Sequence, residues 1–343
     1  MKIIKLISIG IGVLFLIASL FFGVKIGQRF YKAYQFKNSL NDTVLDYDIT
    51  PEDYKKSETL KNGQILSKKI INIKDIPAVW KKVSNEGVLK TEYQHLESID
   101  FYTIIYKSAP KLVNAIIATP KKEGQFPVIL FNRGGNKEEG KLAKAKVLFS
   151  LIGISRLVDE GNILMASCYR EEDEFGGDDI NDVLNLTETA KEIQKADIKH
   201  IGLIGWSRGG MMTYLALKKS NAFTTAVVGN GPTDMFSLIK ERPEMETKVC
   251  AKLIPNYEIN KEEELKKRSA IFWADELNKN TSLLLLCGSN DKRVNPQQAR
   301  NMASKLKAIS YDYKIMEFDT DHNFSNKSEE LNQLLIQWFK NRI

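Results

Sequence analysis

The sequence predicts an α/β fold in which helices cover both faces of a mostly parallel central sheet. Two observations carry this. From about residue 100 onward, short apolar runs alternate with helix-like stretches, the order that builds a parallel sheet with crossover helices. Several of those runs, such as 282–287, are rich in Leu, Ile or Val and show no polar alternation, as strands buried on both faces do. With 43% hydrophobic and 27% charged residues, the composition is that of ordinary globular protein, with no signature of disorder.

The chain opens on an uncharged stretch of 19 residues, 6–24, bounded by Lys5 and Lys25. As a helix rising about 1.5 Å per residue it spans roughly 28 Å, close to the ~30 Å hydrocarbon core of a bilayer. A cleaved signal peptide needs a shorter apolar core and small residues before the cut, and 19–24 match this poorly. Residues 1–26 are therefore expected to form a single transmembrane anchor that places the protein at a membrane and touches lipid. Lys2 and Lys5 on one side balance Lys25, Arg29, Lys32 and Lys37 on the other, so flanking charge does not set the orientation. Residues 27–95 read as a charged spacer or extension with some helix, starting at Pro51 after the cap Thr50. Residues 96–343 form the α/β domain.

Within that domain, strands are expected at 101–106, 112–118, 128–131, 163–168, 201–205, 226–229, 282–287 and 313–318. The first two are joined by a hairpin-like turn at 108–111, so that edge is expected to be antiparallel. Helices are expected near 141–160, 179–195, 211–219, 296–309 and 327–339. Residues 233–277 interrupt the alternation with short polar helices. They either wall a pocket at the carboxyl edge of the sheet or pack peripherally.

Chemistry concentrates at Gly205-Trp206-Ser207-Arg208-Gly209-Gly210, directly after the apolar run 201–204. A serine at a sharp strand-to-helix turn projects its hydroxyl from the sheet edge, and small residues two positions either side let strand and helix cross closely. The hydroxyl needs a base, and the base an orienting acid. The chain has three histidines. His95 precedes the strands around Ser207, and His200 begins the strand that ends there, so it lies at the wrong end. His322, in a polar loop after the run 313–318, falls at the carboxyl edge with Ser207. Asp291, in the loop after 282–287, is the first choice of acid, and Asp321 is its rival. The order Ser207, Asp291, His322 is that of triads built on α/β-hydrolase sheets. An oxyanion hole is expected from the amide of Arg208 and from that of Gly135, with Gly134 beside it, in the loop after 128–131.

Other functions find little support. There is no phosphate-binding loop, no H-E-x-x-H and no dinucleotide fingerprint in the required context, so no cofactor and no metal are expected. The net charge of +7 is modest, and no basic run is interleaved with aromatics, which argues against nucleic acid. Cys168 and Cys287 end apolar strands and read as buried thiols. The cluster Glu171-Glu172-Asp173-Glu174 reads as a solvated loop, with the binding of a substrate amine as the sharper alternative. Oligomeric state is not encoded in any feature of the chain.

Taken together, Asn132-Arg133-Gly134-Gly135-Asn136, residues 174–183, Gly205 to Met212, 269–274, 288–298, 321–324 and 336–339 resemble the catalytic domain of the prolyl oligopeptidase family of serine hydrolases. The likeness runs from about residue 100 to the end. It implies Ser207 as nucleophile, Asp291 as acid and His322 as base, in agreement with the reading of the residues. Family peptidases usually carry a β-propeller before this domain. Only about 75 residues stand between the apolar start and the first strand here, too few for propeller blades. The expectation is an enzyme that forms an acyl-enzyme from a peptide or a small acyl substrate. A carboxylesterase of short acyl esters is the alternative, and a membrane-bound binding module without catalysis is the reading from another class.

Overall fold

A computed structural model describes residues 48–136 and 140–343, together with Gly27, Gln28, Tyr31, Gln35 and Leu45. The expected anchor at 6–24 lies outside the described residues. Among those described, no helix is long and apolar enough to cross a membrane.

Nine strands form one sheet: β1 (Ile65–Ile71), β2 (Ile99–Ser108), β3 (Lys111–Pro120), β4 (Phe126–Asn132), β5 (Ile163–Ser167), β6 (Ala196–Trp206), β7 (Thr225–Gly229), β8 (Ser282–Gly288) and β9 (Tyr313–Phe318). Their order is β1-β2-β3-β5-β4-β6-β7-β8-β9. The pairs β1–β2, β2–β3 and β3–β5 are antiparallel, and all others are parallel. The register sets Leu130 of β4 beside Leu203 of β6, and Leu203 beside Ala226 of β7. Successive strand residues enter opposite cores, which is why these strands read as unbroken apolar runs. Leu130, Leu203 and Leu283 join Met211, Tyr214 and Phe223 on one face. Ile129, Ile204 and Leu284 join Val147, Leu148, Trp338 and Phe339 on the other.

The strand order reverses at β4, which has β5 on one side and β6 on the other. Loops leaving β4 and β6 therefore diverge and open a crevice at the carboxyl edge, where open α/β sheets hold their ligands. Among the described residues, the longer helices packed with the sheet include α1 (Gly140–Gly153), α2 (Ile180–Ala190), α3 (Arg208–Lys219), α4 (Gln297–Ala308) and α5 (Ser328–Lys340).

Residues 48–98 are more than spacer with helix. Thr50 caps the helix Pro51–Lys56 through a capping box with Asp53. Val79, Val83 and Leu96 are buried in the same core as Val147 of α1. Strand β1 adds an antiparallel edge, with Ile71 opposite Phe101. That strand escapes a search for apolar runs because Ser67-Lys68-Lys69 occupy its centre and its pairing is irregular between Ile65 and Ser67.

Candidate active site

Strand β6 runs into α3 through Ser207, whose backbone sits at φ 55°, ψ −125°. A non-glycine residue held there stores about 1–3 kcal/mol of strain and persists only where its surroundings over-determine it. They do so through glycine. A Cβ on Gly205 would lie 2.1 Å from the Gly209 carbonyl oxygen, and one on Gly209 would lie 1.8 Å from that of Asn132. The Ser207 amide donates to the Gly229 carbonyl at 2.9 Å and so ties the turn to β7.

Two loops bring the other residues in. Asp291 follows β8 and accepts the amides of Arg293 (2.7 Å) and Val294 (3.1 Å) on Oδ1. Its Oδ2 stands 2.7 Å from Nδ1 of His322, and both residues are buried. His322 follows β9. Its carbonyl accepts from Trp206 Nε1 and from Asn230 Nδ2, each at 2.9 Å. The histidine loop is thereby bound to the residue beside Ser207 and to the end of β7, and Asn230 also accepts the Gly288 amide at 2.9 Å. Phe324 meets the Trp206 ring edge-to-face at 4.9 Å and closes the same joint.

The other ring nitrogen, Nε2 of His322, is buried and has no hydrogen-bond partner. A buried polar atom left unsatisfied in this way costs stability and invites a functional reading. No hydrogen bond joins it to the Ser207 hydroxyl; in ligand-free enzymes such bonds are often long and tighten only with substrate. The rival acid Asp321 is exposed and accepts from the amides of Asn323 and Ser325 and from the Ser325 hydroxyl. His95 bonds Ser155 instead (2.7 Å), and exposed His200 pairs with Asp197 near the start of β6.

Gly135, Ser207 and Arg208 line one cavity of about 140 Å³. Among the described residues, neither the Gly135 nor the Arg208 amide donates a hydrogen bond, so both are available to an oxyanion. Gly134 packs against the turn: a Cβ there would lie 3.2 Å from that of Ser207. The cavity's remaining walls are Phe175, Pro232, Leu238, Met245 and Val294, with Asn136, Arg242 and Arg293. Of these, Leu238, Arg242 and Met245 come from 233–277, so the interruption walls the cavity. A larger cavity of about 590 Å³, beside α3, is lined by none of Ser207, Asp291 and His322.

The side chain of Arg208 is the part of the site that sequence reasoning misses. It is buried and held by Asp173 through two bonds of 2.6 Å and by Asp179 through a third. The Tyr169 ring lies 4.6 Å from the Arg133 guanidinium and 5.0 Å from that of Arg208. Burial alone would push the Asp173 carboxyl up, but the charge and hydrogen bonds of Arg208 hold it below the usual range. A signal for it exists: an arginine next to a nucleophile, facing the core, requires acids, and the sequence offers Asp173 and Asp179. Three of the four acids in 171–174 are engaged, and Glu171 is exposed, as in a solvated loop. Asp173 serves Arg208, Glu172 pairs with Lys111, and the Glu174 carboxylate accepts the Asp178 amide at 2.8 Å. Cys168, Cys250 and Cys287 are buried free thiols, with Cys168 pushed up to about 12 by burial. No cluster suited to a metal occurs among the described residues.

Known proteins resemble this chain over the same domain. Residues 169–343 match the family model described as Prolyl oligopeptidase family. An uncharacterized peptidase of Bacillus subtilis, YtmA, is 25% identical over 256 residues, covering 72% of this chain and 95% of that protein. Among solved structures, the acylaminoacyl peptidase of Pyrococcus horikoshii superposes with a TM-score of 0.61 at 21% identity, covering 74% of this chain and 43% of that one. A puromycin-hydrolyzing peptidase of Mycobacterium tuberculosis gives 0.56 at 20% identity, covering 68% and 37%. The chain thus spans less than half the length of these solved structures, and at such identities the likeness to them shows an α/β-hydrolase-like fold.

Proposed function

The chain belongs to the prolyl oligopeptidase family and is a serine hydrolase, and from that premise we propose that it cleaves peptide bonds through an acyl-enzyme on Ser207, with His322 as base and Asp291 as its orienting acid. The observation that carries the proposal is the Asp291–His322 hydrogen bond on a loop tied to Trp206, the neighbour of a strained Ser207. With Nδ1–H engaged by the carboxylate, Nε2 is left as the basic nitrogen. It takes the hydroxyl proton as Ser207 attacks the carbonyl carbon. The electron pair displaced onto oxygen is met by the amides of Gly135 and Arg208. As the tetrahedral intermediate collapses, His322 gives that proton to the leaving amine. It then activates water to release the acid and restore the serine. We also propose that residues 6–24 hold the enzyme at a membrane.

The test is turnover of a peptide p-nitroanilide and of a p-nitrophenyl ester by the purified protein and by Ser207→Ala. The proposal expects the variant to fold normally and to lose about 10⁴-fold or more in kcat on both substrates. Near-normal turnover by the variant would remove Ser207 from the reaction. Hydrolysis of esters with none of peptides would keep the triad and replace the peptidase by a carboxylesterase.

A further inference from the structure

The cavity beside Ser207 has an unusual balance of charge. Phe175, Pro232, Leu238, Met245 and Val294 are its apolar lining beside the polar Asn136 and Ser207, and the charged side chains among its lining residues are all arginines: Arg208, Arg242 and Arg293. Arg208 is neutralised by Asp173 and Asp179. The other two are not balanced within the cavity. The Arg293 side chain is exposed and has no ion-pair or hydrogen-bond partner among the described residues. Arg242 gives Nε to Glu244 at 2.9 Å, an exposed pair of little energetic weight, and Nη1 to the Arg293 carbonyl at 3.1 Å. Its Nη2 edge is uncommitted among the described residues, and Glu244 does not line the cavity.

We propose that this cavity is a selectivity pocket for a carboxylate on the acyl part of the substrate, recognised by Arg242 with Arg293 at the rim. The inference rests on the serine-hydrolase reading of the same site. A guanidinium offers a planar pair of donors that matches a carboxylate. A cavity of about 140 Å³ has room for one short side chain, so the group that enters is compact. Two compact groups carry this chemistry: the side chain of an acidic residue that supplies the scissile carbonyl, and the far end of a short dicarboxylic half-acyl group. A cationic side chain would meet two like charges there and be refused.

The experiment compares N-acetyl-glutamyl with N-acetyl-glutaminyl p-nitroanilide, and the p-nitrophenyl ester of succinic acid with that of its monomethyl ester. The members of each pair are similar in shape and differ in charge. The two pairs separate the two sources of the carboxylate. The proposal expects at least one acidic member to exceed its neutral partner by about tenfold or more in kcat/KM, the scale of a hydrogen bond to a charged group. That advantage should shrink as salt is raised.

Arg242→Met should bring the ratio close to one, Arg242→Lys should retain part of it, and Arg242→Glu should reverse it. If Arg242 merely braced the Arg293 carbonyl, all substrates would suffer alike and the ratio would stay where it was. An unchanged ratio in Arg242→Met, or equal turnover of acidic and neutral members by the unaltered protein, overturns the proposal. Failure to turn over any of the four substrates, with no labelling of Ser207 by a fluorophosphonate, overturns the triad reading and this inference with it.

Discussion

Arg208 contributes two separate things from one position. Its backbone amide is our proposed oxyanion donor, and its side chain fastens the loop 173–179 to the start of α3. Asp179 still neutralises Arg208 when Asp173 is replaced, so Asp173→Asn costs the charged hydrogen bonds of one carboxylate, about 1.5–3 kcal/mol. It should lower the urea midpoint at neutral pH. Because Arg208 depresses the Asp173 carboxyl in the folded state, the stability it adds is fully present above the unfolded value of about 3.9 and lost as pH falls through the lower folded value. The gap between Asp173→Asn and the unaltered protein should thus narrow toward pH 3; a gap that is constant from pH 7 to pH 3 would contradict this assignment. Among the acids near His322, Asp291→Asn should reduce kcat by about 10⁴-fold through loss of the correct tautomer. Asp321→Asn should do far less, since Asp321 bonds only its own loop. The reverse ranking in kcat would transfer the acid's role to Asp321. The strained turn at Ser207 and the Asp291–His322 hydrogen bond are legible in the sequence because each residue follows a strand ending at one edge. The Arg208 clamp is legible only as a need for acids; which acids meet it is not, because they lie in an irregular loop whose path no periodicity reveals.

At the scale of elements, the decisive feature is the crossing of β6 and α3 over the loop that leaves β4. Glycine is required there by space. A methyl on Gly209 would sit within 1.8 Å of the Asn132 carbonyl oxygen, which no rotamer change can relieve. Gly209→Ala should force strand and helix apart, lower thermal stability and abolish labelling of Ser207, all measurable on one preparation; a variant with unchanged Tm and full labelling would show that the crossing tolerates a side chain. The elements most legible in the sequence are the central strands, whose two-sided burial leaves continuous apolar runs, and α3, announced by its glycine-flanked serine. Strand β1 is illegible for the opposite reason: it is an edge strand with lysines at its centre, and its existence is decided by pairing with β2. The wall formed by Leu238, Arg242 and Met245 is legible as an interruption, but which of its side chains reach the cavity depends on how short helices pack.

For the molecule as a whole, one sheet carries every part of the candidate site, β1 extends its antiparallel end, and Val79, Val83 and Leu96 share a core with Val147 of α1. Residues 6–24 lie outside the described residues, and their role as an anchor is a proposal read from their apolar sequence. If they anchor the protein, the full chain should sediment with membranes and resist alkaline extraction. A chain beginning at residue 27 should stay in the supernatant and retain ester turnover; a full chain found in the supernatant would refute the anchor.

The central claim is that Ser207 is the activated nucleophile. Mass spectrometry of the folded protein after treatment with a fluorophosphonate tests this most directly. One adduct per chain is expected, mapped to Ser207, absent after prior unfolding and absent in His322→Ala. An unmodified Ser207 in folded protein that still hydrolyses substrate, or an adduct formed equally well without His322, would contradict it.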